Sequence, residues 1–147
     1  MIEIIEMQPF HVPWIAELEK ICFHDPWSER SIASELENPL SHWLVAMDGE
    51  KLVGYVGSQT VLGETDMMNV AVCPDYRRQG IAEGLILALI ADLKARESHC
   101  LTLEVRDSNA SARALYEKEG FCLTGLEKGR MPGNEAFAVE VWVLSRP

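Results

Sequence analysis

The chain of 147 residues contains no Cys-x-x-Cys, and His11, His24, His42 and His99 form no His-x-x-x-His pair. Cys22, Cys73, Cys100 and Cys122 are widely separated. This spacing predicts no metal site. Basic residues are scarce, 13 Lys and Arg against 23 Asp and Glu, for a formal net charge of −10. That balance argues against a nucleic-acid partner and suits a cationic substrate. No apolar run approaches the roughly 20 residues that a membrane helix needs, so no membrane partner is expected. Residues 1–6 are acidic and short of a signal core. We therefore expect a cytoplasmic protein with reduced thiols. The chain also lacks both Gly-x-Gly-x-x-Gly and the Gly-Lys-Ser/Thr of a nucleotide-hydrolysing loop.

What remains is ordinary for a globular protein: 48% hydrophobic and 24% charged residues, enough for one domain, 1–147, with a real core. Residues 2–7 read as a strand. Pro9 and Pro13 stand near the start of a helix whose Trp14, Leu18, Ile21 and Cys22 recur at helical spacing. Ser28 is a good N-cap for a second helix, which ends before Asn38-Pro39. Residues 43–47 and 52–62 are strands joined at Asp48-Gly49, a strong hairpin signal. Gly54 and Gly57 mark a bulge or a close backbone approach. Gly63-Glu64 makes another turn, and residues 67–72 form the next strand. Ile81, Leu85, Leu89 and Leu93 repeat every four residues along a helix that packs on a sheet. Residues 101–105 are a strand. Ser108 or Asn109 caps a helix that ends at Gly120. Residues 121–126 and 136–144 close the chain as strands, with Phe137, Val139, Val141 and Val143 on one face. Central βαβ units inside a largely antiparallel sheet define a mixed α/β (α+β) domain.

Three features could carry chemistry. The first is Arg77-Arg78-Gln79-Gly80-Ile81-Ala82, between an apolar strand and a long helix. A glycine turn feeding a helix start gathers unpaired N–H groups at the positive end of the helix dipole. Such a place binds phosphate, and without the nucleotide signatures it suggests a carrier such as coenzyme A. A basic loop capped by glycine is the plain alternative. The second is Glu104. Leu101, Leu103 and Val105 take one strand face and leave Glu104 with Thr102 on the other. A carboxylate is disfavoured in a strand, and the flanking crossovers predict that its face is covered. The alternative is a solvated face. The third is the helix from Asn109, with Tyr116 on its apolar side beside Ala112. A core tyrosine and a simple N-cap are the ordinary readings of that pair.

At Arg77–Ala82 the chain resembles the GNAT N-acetyltransferase superfamily, whose acetyl-CoA loop reads Gln/Arg-x-x-Gly-x-Gly/Ala. Pro26-Trp27-Ser28, Asn69-Val70-Ala71-Val72, Pro74-Asp75-Tyr76, Glu104-Val105-Arg106, Ser108-Asn109-Ala110, Leu115-Tyr116 and Gly120-Phe121 occur with it, in that order along the chain. Together they resemble the RimI-like branch, the ribosomal-protein alanine N-acetyltransferases. The resemblance implies the GNAT acyl-CoA N-acyltransferase fold, acetyl-CoA as cosubstrate, and a protein N-terminal peptide, ribosomal in origin, as acceptor. It also implies roles. Val70, Ala71 and Val72 would line the acetyl-pantetheine arm as a splayed strand. Arg78, Gln79, Gly80, Ile81, Ala82 and Glu83 would hold the pyrophosphate, with Arg77 beside them as a further cofactor-binding residue. Asn109 would contact the amide arm, Glu104 would be the general base and Tyr116 the general acid. The chemistry needs such a pair: an α-amine of pKa about 7.7–8.0 must lose a proton, and the leaving thiolate must regain one. Cys73 lies near the loop without a visible partner and reads as structural.

One segment departs from the pattern. Relatives carry a basic stretch with paired tyrosines before the last strand, at the peptide groove. Residues 127–134 here lack tyrosine and are rich in Gly and Pro. We expect this segment to set which N-terminus is accepted.

Overall fold

The computed structural model describes residues 1–106, 110–130 and 136–145. The chain opens with strand β1 (Ile2–Glu6), a 3-10 turn at Pro9–His11, and helices α1 (Val12–Cys22) and α2 (Glu29–Glu37). Strands β2 (Ser41–Asp48), β3 (Lys51–Val61) and β4 (Glu64–Val72) follow. A second 3-10 turn at Pro74–Tyr76 then leads into helix α3 (Ile81–Ala95). Strand β5 (Cys100–Arg106), helix α4 (Ala110–Lys118) and strands β6 (Cys122–Arg130) and β7 (Ala136–Ser145) complete it.

Local chemistry sets the boundaries. The Ser28 hydroxyl accepts the Ser31 N–H at 3.1 Å and starts α2, satisfying one of the donors a helix start leaves unpaired. Asp48 pairs with Lys51, so the β2–β3 turn consists of Gly49 and Glu50. At the end of α4 the Phe121 N–H reaches the Tyr116 carbonyl at 2.9 Å and the Gly120 N–H that of Glu117 at 3.1 Å, a double closure that satisfies the last carbonyls.

The seven strands form one sheet in the order β1-β2-β3-β4-β5-β7-β6. Every neighbouring pair is antiparallel except β4 and β5. The βαβ unit through α3 therefore makes parallel neighbours, as the sequence predicts. The crossover through α4 does not: β7 lies between β5 and β6, because the β6–β7 hairpin folds back and pairs with β5 from Cys100 to Arg106. At the end of β7, Trp142 is buried with Leu144 beside it in the α3–α4 core, while Val141 and Val143 are half-buried.

Helices cover both faces. On one, Leu85, Leu89 and Leu93 of α3 and Tyr116 of α4 pack on Leu44, Val56, Leu101 and Leu103. On the other, Ile15 and Leu18 of α1 and Ile32 of α2 pack on Trp43, Val45, Met47 and Tyr55. Strand β2 is consequently buried from His42 to Met47, which is why it reads as an unbroken apolar run and not as an alternation. Helix α1 lies against β3 and β4, and α2 against β2. Over the Thr102 side of β5 this cover stops. The expectation of a covered Glu104 is thus corrected: Glu104 is exposed.

Gly57 shows how closely the α1 side is packed. A Cβ there would lie 2.5 Å from the Trp43 ring. That ring stacks on Tyr55 at 5.6 Å and meets Trp27 edge-on at 5.4 Å, so it has no room to retreat. Gly57→Ala is expected to lower stability by about 1–3 kcal/mol, the usual range for overpacking. Chemical denaturation would read this as a lower midpoint with an unchanged slope.

Candidate active site

The site begins where the sheet opens. Strands β4 and β5 pair only at Glu64↔Cys100, Thr65↔Leu101 and Asp66↔Thr102. Both strands continue, but apart. Just past the last pair β4 carries a bulge: Ser58 pairs with Met67 and Gly57 with Asn69, leaving Met68 as the extra residue. A bulge bends and twists its strand, which turns β4 away from β5. From there to Val72 the β5-facing edge of β4 presents backbone groups to a cleft and not to a strand.

That cleft measures about 590 Å3 and is lined by Val70, Ala71 and Val72 of β4, Arg77, Ala82 and Ile86 around the start of α3, Ala112, Leu115 and Tyr116 of α4, and Cys22 and Phe23 at the end of α1. It continues into a hollow of about 200 Å3 that shares Val72, Arg77, Ala82 and Leu115 and adds Arg78, Gly80, Ile81 and Glu83. Gly80 is the N-cap of α3, with φ +77° and no side chain to bond the free N–H groups of the first turn. This left-handed conformation favours glycine. Arg78 shares it at φ +64°. The turn thus offers unpaired N–H donors and arginine charge, as an anion site requires. Gln79 is exposed within it. Arg77 lies back along β4, its Nε 3.4 Å from the Val72 carbonyl and its Nη2 3.7 Å from Cys22 Sγ. The Glu83 carboxylate is held by Lys118 Nζ at 3.1 Å, a tie between α3 and α4. Any anion contact from this position is left to its N–H.

Tyr116 is only 3% exposed. It packs on Phe121 with ring centroids 5.4 Å apart and belongs to the α3–α4 core while lining the cleft. Burial pushes its pKa up to about 12, so it keeps its proton throughout the neutral range. Core residue and cleft residue are here one and the same. Glu104 stands elsewhere, in a separate concavity of about 350 Å3 with Trp27, Asp66, Met67, Met68, Thr102 and Leu103. This concavity sits at the point where β4 and β5 part. Asn109 lies outside the described residues, as do 131–134 of the divergent 127–134 segment.

Sequence reading missed a third group. Glu19 is 1% exposed. One oxygen accepts the Trp27 N–H at 2.7 Å; the other accepts the Asn69 side-chain N–H at 2.8 Å and the Tyr55 hydroxyl. Burial raises its pKa, and the Trp27 N–H opposes the shift. A signal for it existed: Ile15, Leu18, Glu19 and Cys22 share one helical stripe, which puts a carboxylate on the apolar face. Cys22 and Phe23 were likewise not foreseen at the cleft. Among the described residues no group of three His, Cys, Asp or Glu could hold a metal ion, and no helix is long and apolar enough to cross a membrane.

This arrangement sets the open edge of a splayed parallel strand pair beside a glycine turn able to hold an anion. Residues 12–121 match the acetyltransferase (GNAT) family, and the chain belongs to that family of acetyltransferases. It is 37% identical over 132 residues to the [ribosomal protein bS18]-alanine N-acetyltransferase of Escherichia coli K12, covering 90% of this chain and 88% of the relative. To a putative enzyme of the same name from Bacillus subtilis it is 35% identical over 130 residues, 88% of this chain and 86% of the relative. The crystal structure of the E. coli ribosomal-protein-S18-alanine N-acetyltransferase superposes with a TM-score of 0.90 at 31% identity, covering 99% of this chain and 94% of that one.

Proposed function

We propose that the protein, as a single GNAT domain in the cytoplasm, transfers the acetyl group of acetyl-CoA to the α-amine of an N-terminal alanine on a small-subunit ribosomal protein. The observation that carries this reading is the gap between β4 and β5. The cleft beside it holds a protonated tyrosine, and the concavity where the two strands part holds an exposed carboxylate. The substrate class follows from the relatives that share about a third of the sequence across nearly its whole length.

Acetyl-CoA supplies a thioester carbonyl as electrophile. The open edge of β4 at Val70, Ala71 and Val72 offers backbone groups to an amide-bearing arm. The turn from Arg77 to Glu83 offers N–H donors and positive charge to a pyrophosphate, and Asn109 is assigned to the arm by family pattern alone. Glu104 takes a proton from the α-amine, directly or through water. The Tyr116 hydroxyl donates to the departing sulfur. No covalent bond to the protein forms, so Cys73 is not required.

Gly80→Asp tests the cofactor half. A Cβ at Gly80 meets nothing within 4 Å, and Asp tolerates left-handed backbone better than most residues, so the variant should fold. Its carboxylate would repel phosphate at the start of α3. Calorimetric titration with acetyl-CoA should show binding largely lost beside a native circular dichroism spectrum. Unchanged affinity would remove the phosphate assignment.

The acceptor half is tested with peptides. The net charge of −10 favours encounter with a basic N-terminal segment, as ribosomal proteins supply. Short basic peptides beginning with Ala or Ser should be acetylated, less so at high salt, and not at all when the α-amine is formylated. Mass spectrometry locates the group. Acetylation of internal lysines, or of polyamines in preference to any peptide, would refute the N-terminal reading and leave acetyl transfer standing.

A further inference from the structure

Glu19 has a part that the proton-transfer scheme does not use. Its carboxylate only accepts hydrogen bonds, and it is surrounded by donors: the Trp27 backbone N–H, the Asn69 side-chain amide and the Tyr55 hydroxyl. With 1% exposure, no solvent replaces a lost partner. The consequence reaches Asn69. Because its NH2 faces Glu19, its Oδ1 faces the Val70 N–H at 3.2 Å. The reversed amide would set oxygen against carboxylate and NH2 against N–H. Glu19 therefore fixes which end of Asn69 stands at the first residue of the cleft-lining segment of β4. Through the Trp27 N–H it also tethers the loop between α1 and α2. Trp27 lines the concavity of Glu104, and its ring is held edge-on by Trp43.

We propose that Glu19 is a positioning residue for acetyl transfer, aligning the Val70 backbone through Asn69 on the thioester side and Trp27 on the amine side. One buried carboxylate thus couples the two walls of the gap. This rests on the acetyltransferase reading of the site, but not on which amine is accepted.

Substitutions that keep volume test it. In E19Q the side chain has one oxygen and one NH2 where two acceptors are needed. Either Trp27 loses its tether, or Asn69 turns and sets its NH2 against the Val70 N–H. In N69D two carboxylates meet in a buried place. The double variant E19Q/N69D restores the Trp27, Asn69 and Val70 matches by exchanging the two groups, and the Tyr55 hydroxyl, which can also accept, turns to receive the second N–H of the amide. The amide introduced on α1 accepts from the Trp27 N–H and donates to the carboxylate introduced on β4. The other oxygen of that carboxylate accepts the Val70 N–H. Kinetics of all four proteins are measured well below their melting temperatures. The acceptor is whichever amine the wild type acetylates from a panel of an alanyl peptide, an N-terminally blocked lysine peptide and a polyamine. Each single variant is expected to lower kcat/KM for that acceptor by about ten- to a hundredfold, the worth of a hydrogen bond to a charged group. Acetyl-CoA affinity by calorimetry should change little, and the double variant should recover most of the loss. Single variants that melt earlier but keep wild-type constants would make Glu19 purely structural and overturn the proposal. So would a double variant no better than the worse single. If E19Q fails to fold, N69D against E19Q/N69D carries the same comparison. A wild type that rejects the alanyl peptide but accepts another amine overturns the N-terminal reading and leaves the Glu19 result readable.

Discussion

Glu104→Gln should reduce turnover by about 10²–10⁴-fold, the usual contribution of a positioned base, while acetyl-CoA still binds. The side chain is exposed at the edge of the β4–β5 gap, so the change removes a charge without leaving a buried one unpaired, and stability should hold. The substrate α-amine, of pKa about 7.7–8.0, deprotonates by itself as pH rises. Activity of the variant should therefore recover in part above that range, whereas the wild type gains less over the same interval. A pH–rate profile of both proteins, taken with saturating acetyl-CoA, reads the difference. Full activity at neutral pH would mean that Glu104 is a solvated strand residue and that water alone takes the proton.

Tyr116→Phe should lower kcat on the same scale, about 10²–10⁴-fold for a lost proton donor, with acetyl-CoA affinity nearly unchanged. The ring remains to pack on Phe121 and within the α3–α4 core. The fall should thus appear in kcat and kcat/KM together, as for an interaction made in the transition state. The tyrosine leaves a second mark. Its pKa is raised from 10.0 to about 12 by burial, so above pH 10 the unfolded state ionises first and the folded state binds the extra proton. Stability therefore falls as pH rises through this interval. Thermal melts between pH 10 and 12 should show less alkaline loss for Tyr116→Phe than for the wild type. A variant that melts early yet turns over normally would leave Tyr116 only its core role.

Much of the fold was legible because its signals are local. Ser28 starts α2 with a hydroxyl that reaches a neighbouring N–H. The Ile81–Leu85–Leu89–Leu93 repeat is the buried face of α3. The turn at Gly80 was legible for the same reason: a left-handed glycine at a helix start is a property of a few residues. Other features depend on what lies across the molecule. Leu101 and Leu103 declare one face of β5, and the alternation is correct. Whether the Glu104 face is covered depends on where α1 and α2 end over the sheet, which no spacing encodes. The place of β7 between β5 and β6 is likewise a choice among strand pairings remote in sequence.

By itself the sequence determined the order and type of the elements, the glycine turn, and the residues able to carry charge or donate a proton. Periodicity, caps and turns act over a few residues, so they can be read from the chain. Only the tertiary structure decided that β4, bulged at Met68, leaves β5 after Asp66. That separation turns Tyr116 from a core residue into the wall of a cleft, and Glu104 stands in the concavity where the strands part. It also showed Glu19, a polar position by composition, to be buried beneath Trp27, Tyr55 and Asn69. A buried carboxylate is stable there only because donors from three separate segments converge on it, and such convergence exists only once the chain has folded.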